Sequence, residues 1–346
     1  MRLARLAIGV LLLALAASLA RQPAPASVYP PIAPAAARAA ESLNSSAGPL
    51  WSVAVADDGG WLMAAAEDGA VCRWPPDVAL GLRTVASPTE VLTAHKGPAL
   101  TIASAGGTLV SGGADGKIVF WDRSAWKPAR EISTPAAIKA LAVSPDGKVV
   151  ASASDDTVVQ LWDASAGTRK SELTGSSEWS LVIAFSPDGK SLAAGGYDGR
   201  LRLWDIANEK KIIEVDYKPA PPGDAATIVV TALAFSPDGK LIAIGGSDGS
   251  IRLVQAGDGK QIRLLTGHTG SITGVAFHPA GELLASCSKD RTLRLWNPSG
   301  GQLLKTLEGH NAWVQGVAFF ARGTRLATAS ADHTLRVWDL TNPTKR

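Results

Sequence analysis

Seven aspartates and three histidines recur at constant positions in this sequence, and both residue types serve in acid–base catalysis and metal binding. The aspartates are Asp68, Asp115, Asp156, Asp198, Asp248, Asp290 and Asp332, and the histidines are His95, His268 and His310. Six of these aspartates stand six residues before a tryptophan. Because a residue that recurs once per repeat is needed by the fold, we interpret both sets as structural rather than catalytic.

Other chemistry-bearing patterns are scarce. The sequence contains no HExxH or CxxC pattern, and the remaining histidines, His278 and His333, have no second His or Cys at ligand spacing. We therefore predict no catalytic residues, no metal site and no cofactor. The two cysteines, Cys72 and Cys287, lie in distant strand-like segments and are predicted to be small buried side chains without a disulfide.

The elements that position these residues are repeated strands. The turn sequence SPDGK occurs at 144, 186 and 236, and the tryptophan position recurs at 74, 121, 162, 204, 296 and 338, with Val254 in the gap. Within a copy, short alternating runs flank Asp-Gly turns, which indicates three hairpin-linked strands followed by a fourth. Seven such copies predict an all-β, seven-bladed propeller of four-stranded antiparallel blades over residues 41–340.

The chain resembles the WD-repeat β-propeller family. Trp-Asp closes the third strand at Trp121-Asp122, Trp162-Asp163, Trp204-Asp205 and Trp338-Asp339, and Gly-His opens copies six and seven. The resemblance implies a hydrogen-bonded structural tetrad of His268, Ser288, Asp290 and Trp296 in copy six, and of His310, Ser330, Asp332 and Trp338 in copy seven. Gly113, Gly196 and Gly246 occupy the predicted serine position in copies two, four and five, and Val254-Gln255 replaces Trp-Asp in copy five.

The seventh copy lacks a fourth strand, because only a short tail, residues 341–346, follows it. A leucine stands three residues before the histidine position in several copies, and Leu43 continues that series. We predict that Ala39–Ser46 supplies the missing strand and closes the ring, which removes an open sheet edge.

The N-terminus reads as an export signal. Residues 1–20 combine Arg2 and Arg5 with an apolar run that ends in Ser-Leu-Ala, and residues 21–40 form an Ala/Pro-rich linker. Cleavage would lower the formal charge from +3 to +1, so no nucleic acid is expected as a partner. We predict an exported protein, periplasmic or extracellular and of bacterial type; the alternative is a retained N-terminal helix that anchors the propeller in a membrane.

Several large side chains are candidates for partner binding. Trp51, Trp179 and Trp313 fall at the start of a first strand, on the narrow face, where they either form a binding surface or pack between blades. Gln315, Tyr197 and Lys289 are predicted beside them, and Trp51 and Trp313 are expected side by side. Trp61 and Trp126 fall on the opposite, wide face. The loop Asp216–Thr227 is either a tolerated insertion or a Pro-rich finger for a partner.

Together these features predict a non-catalytic, monomeric propeller that binds one or more proteins as a scaffold or adaptor. One alternative is a propeller enzyme or small-ligand binder that uses the central channel, with chemistry on the irregular loops Asp77–Glu90 or Asp216–Thr227. Another is a membrane-anchored propeller subunit of an envelope complex, and membrane contact is expected only if the N-terminal helix is retained.

Overall fold

A computed structural model describes residues 33–34, 37–45, 47–56, 61–75, 88, 90–217 and 227–341 of the chain. These residues form seven four-stranded antiparallel sheets, arranged as the blades of a ring. The prediction of an all-β, seven-bladed propeller is confirmed. No α-helix occurs in these ranges, so the described part of the chain contains no candidate membrane-spanning helix. The predicted signal segment 1–20 and most of the linker lie outside the described residues.

The strands follow one another in a constant order, and we name them a to d within each blade. The first strand of the chain is β1 (Arg38–Asn44). Blade 1 contains β2 (Leu50–Val55), β3 (Leu62–Ala66), β4 (Ala70–Trp74) and β5 (Glu90–Thr93). Blade 2 contains β6 (Ala99–Ala105), β7 (Thr108–Gly113), β8 (Lys117–Asp122) and β9 (Lys127–Ser133). Blade 3 contains β10 (Ile138–Val143), β11 (Val149–Ser154), β12 (Val159–Asp163) and β13 (Arg169–Leu173).

The remaining blades repeat this order. Blade 4 contains β14 (Ser180–Phe185), β15 (Ser191–Gly196), β16 (Arg200–Asp205) and β17 (Lys210–Asp216). Blade 5 contains β18 (Val230–Phe235), β19 (Leu241–Gly246), β20 (Ile251–Gln255) and β21 (Gln261–Leu265). Blade 6 contains β22 (Ile272–Phe277), β23 (Leu284–Ser288), β24 (Leu293–Trp296) and β25 (Leu303–Leu307). Blade 7 contains β26 (Val314–Phe320), β27 (Arg325–Ser330) and β28 (Thr334–Asp339), with a short 3-10 helix at Ala321–Gly323 between the first two.

The SPDG turns join strands a and b through a repeated hydrogen-bond pattern. In blade 3, the Ser144 hydroxyl donates to Asp146 (2.7 Å) and accepts from the amide of Val149 (2.9 Å). Gly147 has φ +72°, a conformation that disfavours residues with a Cβ. Blades 4 and 5 repeat this geometry, so the turn sequence sets the pairing of strands a and b in each copy.

The fourth strand of blade 7 comes from the N-terminal end of the chain. β1 pairs antiparallel with β28, with Leu43 opposite Leu335 and Asn44 opposite Thr334. The strand observed is Arg38–Asn44, slightly shorter than the predicted Ala39–Ser46, and Ser46 lies outside the described residues. That this pairing stabilises the whole ring stays a prediction.

Seven apolar clusters hold the ring together, one between each pair of neighbouring blades. The tryptophan at or next to the end of strand c packs against the preceding blade, so Trp204 of blade 4 joins a cluster with Ala153 and Leu161 of blade 3. Trp74 of blade 1 joins Leu335 and Val337 of blade 7 in the same way, and Val254 takes the tryptophan position in blade 5. The recurring tryptophan is therefore a packing residue between blades.

The antiparallel topology places the b–c turns and the d–a connections on one face of the ring, here called the b–c face. The opposite face, called the a–b face, carries the a–b and c–d turns. At the b–c face, strand a of every blade has a register shift after its first paired residue, as between Leu50 and Ser52 in blade 1. The extra residue of this bulge, Trp51 in blade 1 and Gln315 in blade 7, has no partner on strand b.

Candidate functional site

The recurring histidine and aspartate of blade 6 belong to a buried hydrogen-bond network. Nδ1 of His268 lies 2.7 Å from Oδ2 of Asp290, and Nε2 lies 2.8 Å from Oγ of Ser286. Nε1 of Trp296 donates to the same oxygen at 2.8 Å. Burial raises the pKa of Asp290, but the hydrogen bonds from His268 and Thr292 have the larger combined effect. They hold the pKa of this carboxyl well below its usual range.

The prediction that Ser288 belongs to this tetrad is wrong. Ser288 donates to the carbonyl oxygen of Gly270 and accepts from the amide of Asp290, so it stabilises the turn instead of joining the histidine. Ser286 and Ser288 lie on the same face of β23, because side chains alternate along a strand. The alternation of side chains therefore does not distinguish the two serines. The His268 ring extends as far as Ser286, and its Nε2 contacts that hydroxyl.

Blade 7 requires the same correction. Nε2 of His310 lies 2.7 Å from Oγ1 of Thr328, to which Nε1 of Trp338 also donates. Asp332 lies 2.9 Å from Nδ1 of His310. Ser330 instead donates to the carbonyl oxygens of Ala312 and Trp313 and accepts from the amide of Asp332. The hydroxyl of this tetrad therefore belongs to Thr328, and burial lowers the pKa of His310.

Blade 2 has a complete tetrad, although its predicted serine position holds Gly113. Nε2 of His95 lies 2.8 Å from Oγ of Ser111, and Nε1 of Trp121 donates to Ser111 at 3.0 Å. Asp115 lies 3.1 Å from Nδ1 of His95. A Cβ at position 113 would clash with the His95 ring. Gly113 therefore leaves the space that this ring needs in the tetrad.

Blades 4 and 5 use arginine where blades 2, 6 and 7 use histidine. Arg202 of β16 pairs with Asp198 at 2.7 Å, and Arg252 of β20 pairs with Asp248 at 3.1 Å. Ala194 of blade 4 lies opposite Arg202 and leaves no hydroxyl for a tetrad. The sequence signal for this substitution is an arginine four residues after the turn aspartate in a copy that lacks the histidine.

These networks resemble a hydrolase triad in the order Asp–His–Ser but do not provide its chemistry. Ser286 is completely buried, and its oxygen already accepts from Trp296, so no substrate carbonyl reaches it. Gly245–Gly249 fits the pattern Gly-x-Ser-x-Gly, yet Ser247 lies in a b–c turn between two strands, and its hydroxyl accepts from the amide of Val229. In the described ranges no three His, Cys, Asp or Glu side chains form a metal-binding group.

Both cysteines are buried free thiols, as predicted. Burial raises the pKa of Cys72 to about 11 and that of Cys287 to about 12. Cys72 contacts the hydroxyl of Ser45, and Cys287 contacts that of Thr273. A thiol with a raised pKa is a poor nucleophile, so both cysteines act as small packing residues.

The predicted binding residues lie on the b–c face, and two of the tryptophans there are about half exposed. Trp313 is 48% exposed, and Nζ of Lys289 from the neighbouring blade 6 lies 4.6 Å from the centre of its ring. Trp179 is 45% exposed, and its ring contacts that of Tyr197 edge-on, with the two ring centres 5.9 Å apart. The structure therefore brings Lys289 to Trp313 and Tyr197 to Trp179.

Trp51 is more buried than these two residues and has a different partner, since its Nε1 donates to Oε2 of Glu67. Gln315 occupies the equivalent bulge in blade 7, which agrees with the predicted strand position. Strands β2 and β26 are neighbours, but the proximity of the Trp51 and Trp313 rings stays a prediction. The loop Asp216–Thr227 is described only at its ends, and most of Asp77–Glu90 also lies outside the described residues.

Trp61 and Trp126, near the a–b face, enclose a cation of the chain itself. The guanidinium carbon of Arg73 lies 3.9 Å from the centre of the Trp61 ring and 3.8 Å from that of Trp126. Arg73 also pairs with Glu90 at 2.7 Å. These two tryptophans therefore join blade 1 to blade 2, and neither ring stands free for a partner.

A surface hollow lies beside Trp179 on the b–c face. Its lining consists of Glu178, Trp179, Tyr197, Asp198 and Thr227. The carboxylate of Asp198 is buried and paired with Arg202, whereas Glu178 is exposed. The arrangement offers an aromatic wall and one accessible carboxylate, which suits recognition of a side chain better than bond-breaking chemistry.

Comparison with known proteins supports the family suggested by the repeats. A family model described as "WD domain, G-beta repeat" matches residues 40–75, 86–122, 126–163, 167–205, 259–297 and 301–339. A model described as "Anaphase-promoting complex subunit 4 WD40 domain" matches residues 220–273, which include blade 5, where Val254 replaces the tryptophan. No curated protein matches the chain. Six repeat matches that cover most of the chain, together with the seven-bladed ring, show that the chain belongs to the WD-repeat family of β-propellers.

Proposed function

We propose that this propeller is a non-catalytic scaffold that binds one or more proteins through its b–c face. The fold is typical of protein-interaction scaffolds, and the observation that carries the proposal is the position of the exposed aromatic residues. Among the described residues, the large exposed apolar side chains include three aromatic ones, Trp179, Tyr197 and Trp313, and all three lie on the b–c face.

The contrast between the faces supports this choice. On the a–b face, Trp61 and Trp126 already hold Arg73 between them, so their apolar area is used inside the protein. On the b–c face, Trp179 and Trp313 keep nearly half of their surface accessible. Aromatic residues are enriched at the energetic centres of protein interfaces, and charged residues such as Lys289 and Glu178 give the polar border that interfaces have.

The deciding experiment compares two variants of the full chain as bait. The first carries Trp179→Ala and Trp313→Ala on the b–c face. The matched control carries Leu303→Ala and Leu304→Ala, which remove exposed apolar side chains from the outer strand of blade 6. We expect the first variant to lose its captured partner and the second to keep it, with both melting within a few degrees of the parent. Equal capture by both variants contradicts the proposal.

The site of action is part of the same proposal. The basic start, apolar run and Ser-Leu-Ala ending of residues 1–20 support export and action outside the cytoplasm. N-terminal sequencing of protein recovered from the periplasm or medium should begin at Arg21. Recovery of chains that retain Met1 in the membrane fraction contradicts cleavage and favours the anchored form.

A further inference from the structure

One exposed tryptophan of the b–c face already contacts a cation from the chain itself. Trp313 stands immediately before strand a of blade 7, and Lys289 is the residue before the turn aspartate of blade 6. Nζ of Lys289 lies 4.6 Å from the centre of the Trp313 ring. An ammonium group at this distance is attracted by the negative face of the ring. In blade 7, the exposed tryptophan is thus paired with a cation from the preceding blade.

Blade 4 repeats the tryptophan but not the cation. Trp179 occupies the position of Trp313, and the residue of blade 3 equivalent to Lys289 is Asp155. Asp155 pairs with Lys139 at 3.2 Å, so it brings a negative charge where blade 6 brings a positive one. Among the cations in the described ranges, none lies over the ring of Trp179 or Tyr197.

The hollow at Trp179 has the chemistry that complements a cation. The rings of Trp179 and Tyr197 meet at 81°, which gives the hollow two aromatic walls at nearly a right angle. The hollow is open to solvent on one side and has a volume of about 400 Å³. The exposed, acidic residue Glu178 is part of the lining, whereas the carboxylate of Asp198 is already paired with Arg202.

We infer that the hollow formed by Glu178, Trp179, Tyr197 and Thr227 binds the cationic side chain of a lysine or arginine in a partner protein. This inference rests on the proposed function and names the chemistry of one contact. An apolar side chain in the hollow would leave the negative charge of Glu178 without a partner. A cation satisfies the aromatic walls and the carboxylate together, as Arg73 does with Trp61, Trp126 and Glu90.

The test uses small probes and the complete folded chain. The probes are lysine and arginine blocked as N-acetyl amides, with blocked citrulline as the uncharged analogue of arginine. The indole N–H resonance of Trp179 is identified by its loss in Trp179→Phe. We expect this resonance to shift with the lysine and arginine probes and not with citrulline. Glu178→Gln should weaken probe binding about two- to five-fold, the size of an exposed charge contribution.

Blade 7 provides a matched control. In Lys289→Ala, the ring of Trp313 loses its internal cation, and we expect its indole resonance to begin responding to the same probes. In the parent protein, that resonance should respond less than the resonance of Trp179. The inference is overturned if citrulline shifts Trp179 as strongly as arginine does, or if no probe shifts it at all.

Failure of this inference can be separated from failure of the proposed function. If the Trp179→Ala, Trp313→Ala bait loses its partner while no probe shifts Trp179, the b–c face binds protein without a cation in this hollow. If the probes bind as expected while the same bait keeps its partner, the cation site exists and the proposed interface is wrong.

Discussion

Oγ of Ser286 lies 2.8 Å from Nε2 of His268, and this contact ties strand b of blade 6 to the connection that enters the blade. The same oxygen accepts from Nε1 of Trp296, the residue that packs against blade 5. One buried hydroxyl thus links the b–c face to the core between two blades. The first prediction follows from this double role.

Ser286→Ala should lower the free energy of unfolding by about 1–3 kcal/mol, because two buried ring nitrogens lose their partner. Ser288→Ala is the matched comparison and should also destabilise the turn. Only Ser286→Ala should move the indole N–H resonance of Trp296 and speed its hydrogen exchange. An equal effect of both variants on that resonance would show that the tetrad is not built around Ser286.

A second prediction concerns acid stability. The folded-state pKa of Asp290 lies below the unfolded value of about 3.9. The unfolded state therefore binds more protons than the folded state as the pH falls towards and past that value, and the contribution of Asp290, fully present above about pH 5, is lost towards its folded pKa. Between pH 5 and 3, the free energy of unfolding of Asp290→Asn should fall less steeply with decreasing pH than that of the parent. The difference in slope corresponds to at most about one bound proton. Exposed Glu308→Gln is the comparison, and urea unfolding over this pH range measures both.

A third prediction tests the N-terminal strand. Leu43 is 1% exposed and lies in a cluster with Trp74 of blade 1 and Leu335 of blade 7. Leu43→Ala should cost about 2–5 kcal/mol through lost packing and a residual cavity. Ser42→Ala, at an exposed position on the same strand, should change stability by no more than about 0.5 kcal/mol.

Deletion gives a stricter version of the same test. Removal of residues 38–44 should lower the melting temperature of the ring, because β28 would become an open edge and the cluster would lose Leu43. Removal of residues 21–32 serves as the control. Identical melting curves for both deletions would mean that the strand does not contribute to closure.

A fourth prediction concerns the stacked cation between blades 1 and 2. Arg73→Met keeps much of the side-chain stem and removes the guanidinium from between Trp61 and Trp126. We expect lower stability and a coupling of about 0.5–2 kcal/mol between Arg73 and Trp126 in a double-mutant cycle. Glu90→Gln should also lower stability, because the buried Arg73 would lose a carboxylate that offsets its charge. A coupling near zero would indicate packing without a cation–ring attraction.

The sequence by itself determined the number of blades and the order of their strands. Turn sequences such as Ser144–Lys148 act locally through one hydroxyl, one carboxylate and a glycine with positive φ. A copy with such a turn therefore determines its own hairpin between strands a and b. The alternation of apolar residues and the constant distance from turn aspartate to tryptophan are local too. These patterns predicted an all-β ring even where Val254 replaces the tryptophan.

Only the tertiary structure decided which side chains meet. Ser286 and Ser288 share one face of a strand, so the choice between them depends on how far the His268 ring reaches into the blade. Lys289 reaches Trp313, and Arg73 reaches Trp126, from neighbouring blades. Contacts of this kind depend on how blades pack against one another, and periodicity within a single strand carries no information about that packing.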